Sequence, residues 1–495
     1  MRKSGILLPV SSLPSPYGIG CFSQEAYDFV DCLEAAGQTC WQILPLGPTG
    51  YGDSPYQSFS TFAGNPYSID LCDLQKRGWL TKEECDAADW GTSDTEVDYY
   101  LQYFHRNTLL KRAFERSEIR KVPDFVQFCE EEREWLADYA LFMAVKEIFD
   151  GKSWVEWADD IRYRHDSAIR YYSGVYEDEI LFYKFQQYLF DVQWKKLKIY
   201  ANDKGIQIIG DIPIYVALDS ADTWASPDLF QLDGARMPAA VAGCPPDAFS
   251  ETGQLWGNPL YDWKRHAETG FTWWIRRIAY TRKWYDVIRI DHFRGFDAYY
   301  SIPFADETAE NGCWEDGPGM ALFTALREAL GEVDIIAEDL GILTDSVFEL
   351  LRSTGYPGMR VLQFAFGSRD DDYYLPHSYT ANSIVYTGTH DNTTTLEWYK
   401  TLPPEEAAYL AEYLGCESLS PCEAVRALIR MALGSVSSMC IIPLQDYLEL
   451  SERARINEPS TLGKNWKWRL EKEQITDALM ERIRNLTKLY GRLPS

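Results

Sequence analysis

Eight short apolar runs along the chain predict buried β-strands. Most are near-continuous rather than alternating, a pattern typical of parallel strands covered on both faces. Helical patterns lie between them: Ser23 can begin a helix that ends at Gly37, and Thr344 can begin another. The predicted strands are 6–10, 41–46, 206–209, 287–290, 334–337, 359–364, 383–387 and 439–444. Eight strand–helix units predict an α/β protein with a (β/α)₈ TIM barrel.

The spacing of the runs predicts two excursions from the barrel. The second run ends at 46 and the third begins at 206, far more than the roughly 30 residues of a simple βαβ unit. We expect residues 73–172 to form a mainly helical insertion subdomain, with 1–72 and 173–495 forming the barrel and no separate C-terminal β domain. Residues 216–259 are rich in Gly, Pro, Ser and Asp, which predicts a rim loop at the C-terminal face of the strands.

The net charge and the cysteine pattern indicate which kinds of partner and which cellular compartment to expect. The net charge of -27 disfavours nucleic acid and anionic membrane surfaces, so a neutral substrate is expected. The 11 cysteines include no C-x-x-C pair, which argues against a disulfide framework or a zinc site. The apolar N-terminal run is too short for a signal peptide, and no stretch has the roughly 20 apolar residues of a membrane helix. These features predict a cytoplasmic protein that needs no metal or cofactor.

Carboxylates stand at the ends of three predicted strands. Asp291 follows the fourth strand and shares a strand face with Arg289, whose charge favours an ionised nucleophile. Glu338 follows the fifth strand, where partial desolvation raises the pKa of a carboxyl toward that of a general acid. Asp391 follows the seventh strand between His390 and Asn392, a set suited to binding hydroxyl groups. Taken singly, Asp291 with Arg289 could be a structural ion pair, and Glu338 and Asp391 could cap turns at the strand ends.

The three carboxylates together favour chemistry on glycosidic bonds. Such cleavage uses two carboxyl groups, one of them protonated, around an oxocarbenium-like transition state. The sequence has no P-loop, no G-x-G-x-x-G dinucleotide motif, no G-x-S-x-G elbow and no HExxH motif. The 17 Trp and 32 Tyr offer flat faces for sugar rings, although most are expected in the core.

At these residues the sequence closely resembles the 4-α-glucanotransferases of the amylomaltase type (glycoside hydrolase family 77), relatives of the α-amylase superfamily. The resemblance covers nearly the whole chain. Besides the three strand ends, it rests on LPSPYGIG at 13–20, WQILPLGPTGYGDSPYQS at 41–58, AGNPY at 63–67, GDIPIYV at 210–216, FSETGQLWGNPLY at 249–261, ARIN at 454–457 and GKNWKWR at 463–469.

The resemblance implies retaining transfer of a 1,4-α-glucan segment to the 4-hydroxyl of an acceptor glucose, maltose or glucan. It makes Asp291 the nucleophile, Glu338 the acid/base and Asp391 the transition-state stabiliser. The residues implied in substrate binding are Arg289, His390, Asp211, Asn65, Tyr56, Phe249, Gln254, Trp256, His292 and Asn392. Ala248 departs from the family, where a Tyr is common, so the contacts of its loop with acceptor or long chains can differ.

Two other functions fit parts of the pattern. An α-glucan hydrolase of the amylase type would use the same fold and carboxylates, with water in place of the sugar acceptor. An inactive glucan-binding protein would have lost a carboxylate, and all three are present here. The sequence does not define the oligomeric state or the preferred chain length.

Overall fold

A closed barrel of eight parallel strands forms the centre of the computed structural model, which describes residues 2–50, 52–246, 250–341, 343–369 and 373–494. Its strands follow the order β1-β12-β11-β10-β9-β6-β3-β2, and a separate four-stranded sheet has the order β5-β4-β7-β8. In chain order the strands are β1 (Lys3–Leu7), β2 (Cys40–Gln42), β3 (Gln207–Ile212), β4 (Ala240–Cys244), β5 (Gln254–Pro259), β6 (Val287–Ile290), β7 (Ala298–Pro303), β8 (Cys313–Asp316), β9 (Ile335–Ala337), β10 (Gly358–Val361), β11 (Ser383–Tyr386) and β12 (Met439–Pro443).

All eight predicted strands are barrel strands, so the predicted TIM barrel is confirmed. The bounds of β6 match the prediction, and those of the others differ by a few residues. Each strand pairs in parallel with its neighbour, as Ile209 of β3 with Val287 of β6, or Ile288 of β6 with Ile335 of β9. Near-continuous apolar strands arise here because side chains point both into the barrel and toward the helices.

Helices surround this barrel and fill the insertion. In chain order they are α1 (Gln24–Ala35), α2 (Leu71–Lys76), α3 (Lys82–Asp86), α4 (Tyr99–Leu101), α5 (Asn107–Arg116), α6 (Pro123–Glu131), α7 (Arg133–Ile148), α8 (Asp159–Arg162), α9 (Asp166–Val175), α10 (Glu177–Asp203), α11 (Ala221–Ala225), α12 (Trp263–Glu268), α13 (Thr272–Trp284), α14 (Met320–Leu330), α15 (Asp345–Thr354), α16 (Thr395–Thr401), α17 (Pro404–Leu414), α18 (Pro421–Gly434), α19 (Leu444–Tyr447) and α20 (Asp477–Leu489). No helix in these ranges is both long and apolar enough to cross a membrane.

The segment between β2 and β3 is mainly helical, and α5, α6, α7 and α9 pack on α10, the last helix of the segment. Helix α10 buries one face against the barrel and contacts β3, α1 and α7. The insertion also reaches the C-terminal part of the chain, because Glu96 forms a β-bridge with Trp468 and Val97 N–H donates to the Lys467 carbonyl over 2.8 Å. The division into a barrel and a 73–172 subdomain remains a prediction.

The excursion 216–259 is more ordered than the rim loop expected from its composition. It contains helix α11 and strands β4 and β5, which join β7 and β8 in an antiparallel sheet that we call the rim sheet. The loop prediction was wrong there because β4 consists of small residues and β5 contains Gly257 and Pro259, both turn signals. The partner strand β7 lies far along the chain, so pairing rather than local propensity forms this sheet.

Candidate active site

Four carboxyl groups gather where barrel strands end. Asp211 is the second-last residue of β3, Asp291 follows β6, Glu338 follows β9, and Asp391 comes a few residues after β11. Since active sites of this fold lie at the C-terminal ends of the strands, the barrel brings together the residues that the sequence singled out.

A buried arginine links two of these carboxylates. Arg289 Nη1 donates to Asp211 Oδ2 over 2.6 Å and to Asp291 Oδ1 over 3.0 Å. Asp211 is completely buried and Arg289 almost so, whereas the Asp291 side chain stays 29% exposed. The ion pair with Arg289 therefore holds Asp291 on its buried side, and the rest of the Asp291 carboxylate stays open to the cleft.

Tyr56 and His390 connect this pair to Asp391. The Tyr56 hydroxyl donates to Asp211 Oδ2 over 2.9 Å and lies 2.9 Å from His390 Nε2. Its only proton is used on Asp211, so His390 Nε2 must be the donor to Tyr56. The same nitrogen lies 3.3 Å from Asp391 Oδ2, and the Tyr56 and His390 rings stack with centroids 5.3 Å apart. The network fixes the imidazole tautomer beside Asp391.

A left-handed residue after the β6 strand joins Asp291 to Glu338. His292 has φ 51° and ψ 47°, an uncommon conformation for a residue other than glycine. This turn lets its backbone N–H donate to Glu338 Oε2 over 2.6 Å, while Leu340 N–H donates to Glu338 Oε1 over 2.8 Å. Strain stored next to a reactive carboxyl is a common feature of active sites.

Burial gives the carboxyl groups of Asp291 and Glu338 different pKa values. It raises the pKa of Asp291 to about 6, because the cost of desolvation outweighs the nearby Arg289 cation. It raises the pKa of Glu338 to about 8, with repulsion from Asp291 adding to desolvation and Arg289 opposing it. Arg289 does lower the pKa of Asp291, as expected from the sequence, but desolvation has the larger effect and the net shift is upward. The expected order of the pair is retained.

Asp339, the neighbour of Glu338, faces strand β10 instead of the cleft. Its carboxylate accepts Met359 N–H over 2.5 Å and the Tyr373 hydroxyl over 2.9 Å, and Arg360 lies 3.2 Å away. A Cβ at Gly358 would come within 2.3 Å of this carboxylate, so the position requires glycine. Asp339 therefore joins β9 to β10.

Asp391 is held by a residue that sequence reasoning missed. Asn457 Nδ2 donates to Asp391 Oδ1 over 2.6 Å, and Asn457 N–H donates to the His390 carbonyl over 3.1 Å. Arg455 Nη2 donates to the Asp391 carbonyl over 3.0 Å. The only signal was the ARIN stretch at 454–457, which carries Asn457 but gives no hint of its contact. The Asp391 side chain remains 41% exposed.

Three predicted binding residues form one wall of the cleft. The rings of Trp256 and His292 meet at 88° with centroids 4.9 Å apart, and Trp256 Nε1 donates to Gln254 Oε1 over 3.1 Å. Burial lowers the pKa of His292 to about 3, so its imidazole is neutral. Its Nε2 is buried without a hydrogen-bond partner in the described part of the chain.

Two further predicted residues use their amide oxygens locally. Asn65 accepts Tyr67 N–H over 2.9 Å and caps a short 3₁₀ helix, and Asn392 accepts Thr389 N–H over 2.8 Å. Phe249 and Ala248 lie outside the described residues. Within the described ranges, no group of three or more His, Cys, Asp or Glu side chains is arranged to hold a metal ion.

A parallel barrel with carboxyl groups of unequal acidity at its C-terminal face is suited to an enzyme that acts on glycosidic bonds. The family model for 4-alpha-glucanotransferase, glycoside hydrolase family 77, matches residues 8–476. The chain belongs to this family, and it is a 4-α-glucanotransferase that transfers segments of 1,4-α-glucan with retention.

The chain is similar to known members of this family over nearly their full lengths. The chain is 50% identical to a 4-alpha-glucanotransferase of Streptococcus pneumoniae serotype 4, with 99% of this chain and 98% of that one covered. It is 48% identical to the enzyme of Clostridium butyricum, with 98% and 99% covered. The solved amylomaltase of Streptococcus agalactiae, in complex with acarbose, is 42% identical and superposes with a TM-score of 0.97 over 100% of both chains.

Proposed function

We propose that Asp291 is the nucleophile, Glu338 the general acid/base and Asp391 the transition-state stabiliser of the transfer. The observation that carries this assignment is the different surroundings of the two carboxyl groups: Arg289 donates to Asp291 over 3.0 Å, which favours its ionised form, whereas burial raises the pKa of Glu338 to about 8. Near neutral pH one is largely ionised and the other largely protonated, which is what the two roles require.

In the first step a carboxylate oxygen of Asp291 attacks the anomeric carbon of the donor glucan. The bond to the leaving oxygen breaks, and Glu338 gives that oxygen its proton. In the second step ionised Glu338 removes the proton from an acceptor 4-hydroxyl, whose oxygen attacks the anomeric carbon and releases Asp291. Two inversions give net retention, and both carboxyl groups return to their starting states.

The surrounding contacts support separate tasks for the other residues. The Arg289–Asp211 pair fixes Asp291, and the Tyr56–His390 pair can bind sugar hydroxyls beside Asp391. Asp391 has an exposed carboxylate oxygen to accept hydroxyls that come closest in the distorted sugar, so its binding energy is used mainly in the transition state.

The wall formed by Gln254, Trp256 and His292 offers flat rings and neutral polar groups to glucose units beyond the cleaved bond. We assign glucose, maltose and short glucans as acceptors at this wall. The Streptococcus agalactiae amylomaltase was solved in complex with acarbose, which supports ligand binding by this fold.

All eleven cysteines are free thiols, which supports action in a reducing compartment such as the cytoplasm.

The assignment is tested with Glu338→Gln and an α-glucosyl fluoride donor. Fluoride leaves with little protonation, so Asp291 still attacks, whereas the second step lacks its base. A covalent glucosyl enzyme should accumulate, visible as added mass on the intact protein and mapped by peptide analysis to Asp291.

Asp339→Asn is the matched control, because Asp339 adjoins Glu338 in sequence but faces β10. It should give no lasting adduct. An adduct on Asp391 or Asp339 would overturn the assignment, as would a Glu338→Gln enzyme that turns over ordinary glucans at the wild-type rate.

A further inference from the structure

We propose that Trp314 and Asp316, on strand β8 of the rim sheet, form an outer binding position for glucan chains longer than those held around the cleaved bond. Trp314 is 40% exposed although it is one of the largest apolar side chains. An exposed indole offers a flat apolar face to the C–H face of a glucose ring, with an N–H at its edge.

The Trp314 ring is held in place by its neighbours. The Arg294 guanidinium lies over the ring, 3.8 Å from its centroid, and Tyr300 meets it at 62° with centroids 5.1 Å apart. Both neighbours are buried. With Arg294 over one face and the Tyr300 ring beside it, Trp314 still keeps 40% of its surface exposed. A ring fixed in this way loses little conformational entropy when a sugar binds.

The ring also lies near the cleft. Arg294 follows Asp291 by three residues, in the 3₁₀ turn Phe293–Phe296 after β6. Three residues of chain span at most about 11 Å. Trp314, stacked on Arg294, is therefore within a few glucose units of the nucleophile. The same sheet carries Trp256, which contacts His292 in the cleft wall, so it extends from the wall outward.

The carboxylate of Asp316 lies on the same strand as the Trp314 ring. Asp316 is two positions after Trp314, so both side chains leave the same face of the strand, and both residues are exposed. A carboxylate beside an aromatic face can accept hydroxyls at the rim of a sugar whose C–H face covers the ring. With a net charge of -27, the surface favours a neutral polymer over an anionic ligand.

The test compares maltoheptaose with maltotriose as substrate. Trp314→Ala should lower the ratio of kcat/KM for maltoheptaose over maltotriose about 3- to 10-fold, the worth of one aromatic contact. Asp316→Ala should lower the same ratio by a smaller factor. Phe304→Ala is the control, because Phe304 is 43% exposed and follows β7 of the same sheet. An unchanged ratio in Trp314→Ala, or an equal fall in Phe304→Ala, would overturn the proposal.

A second measurement keeps Trp314 intact, because its removal also uncovers Arg294. The Glu338→Gln variant, which should hold glucan without turnover, is treated with a tryptophan oxidant, and oxidation is quantified by peptide mass. Maltoheptaose should slow oxidation of Trp314 severalfold more than an equal concentration of maltose. Equal rates with the two sugars would contradict binding at this position.

Discussion

Asn457 donates its side-chain amide to Asp391 Oδ1 over 2.6 Å, from a segment that lies 66 positions further along the chain. The contact takes one carboxylate oxygen and leaves the other toward His390. It therefore orients a side chain that is otherwise substantially exposed and free to rotate.

Asn457→Ala should lower kcat about 10- to 100-fold with little change in KM, because a hydrogen bond to a charged group is worth about 1.5–3 kcal/mol. Asn457→Asp should lose more, since it sets a second carboxylate against Asp391. Steady-state kinetics on maltotriose measure both. Asn202→Ala is the control, because Asn202 makes a similar amide-to-carboxylate contact with Asp286 away from the cleft. Losses in the Asn202 variant comparable with those in Asn457→Ala would indicate a general structural effect.

The pH profile of kcat/KM should be bell-shaped, with limbs near pH 6 and pH 8. Activity rises as Asp291 loses its proton and falls as Glu338 loses its own, since their pKa values are about 6 and about 8. With α-glucosyl fluoride as donor, departure depends less on the acid, so the rate of the first step should no longer fall at the alkaline limb. An alkaline limb of unchanged depth for that step would contradict the role of Glu338.

Asp391→Asn should lower kcat on the order of 10²-fold or more while leaving the melting temperature nearly unchanged. The reason is that Asp391 is half-open to the cleft and contributes through contacts made in the transition state. Thermal unfolding of the same preparation supplies the comparison. A large drop in melting temperature would instead assign Asp391 to the loop that follows β11.

Exhaustive dialysis against a chelator should leave full activity. The proposed reaction needs only carboxyl groups, and the side chains around them are paired with each other. Activity is measured before and after dialysis, and again after divalent ions are added back. A reversible loss would mean that a metal site contributes.

Incubation with pure maltotriose should yield glucose together with chains longer than the donor. Transfer extends one chain by what it removes from another, whereas hydrolysis can only shorten chains. Chromatographic sizing over time distinguishes the two, and labelled water gives the share of glycosyl groups that end on water. Products that are all shorter than maltotriose at every time point would contradict transfer.

The sequence predicted the barrel well because buried parallel strands are continuous apolar runs that need no knowledge of their partners. It also predicted the carboxylates, because strand ends of a barrel share one face. The rim sheet was missed, since β4 and β5 contain small residues, Gly and Pro, and β4 pairs with β7 far along the chain. The effect of the cation at position 289 on the pKa of Asp291 could be read from the sequence, whereas the larger, opposing effect of burial could not.

Contacts between distant segments were equally hidden. The sequence does not indicate that Asn457 contacts Asp391 or that Trp314 stacks on Arg294. Both contacts depend on the tertiary fold. The motif that contains Asn457 can be seen in the sequence, but only the fold shows that its partner is Asp391.

The bridge between Glu96 and Trp468 has a consequence for any redesign of the enzyme. The stretch that runs back from Trp468 carries Asn457, and the Tyr99 hydroxyl donates to the Trp466 carbonyl over 2.8 Å on the way. The helical insertion thus supports the segment that holds Asp391, the proposed transition-state stabiliser. If the insertion is shortened or replaced, residues 454–468 need other contacts to hold them in place. Without such contacts, we expect Asp391 to be misaligned.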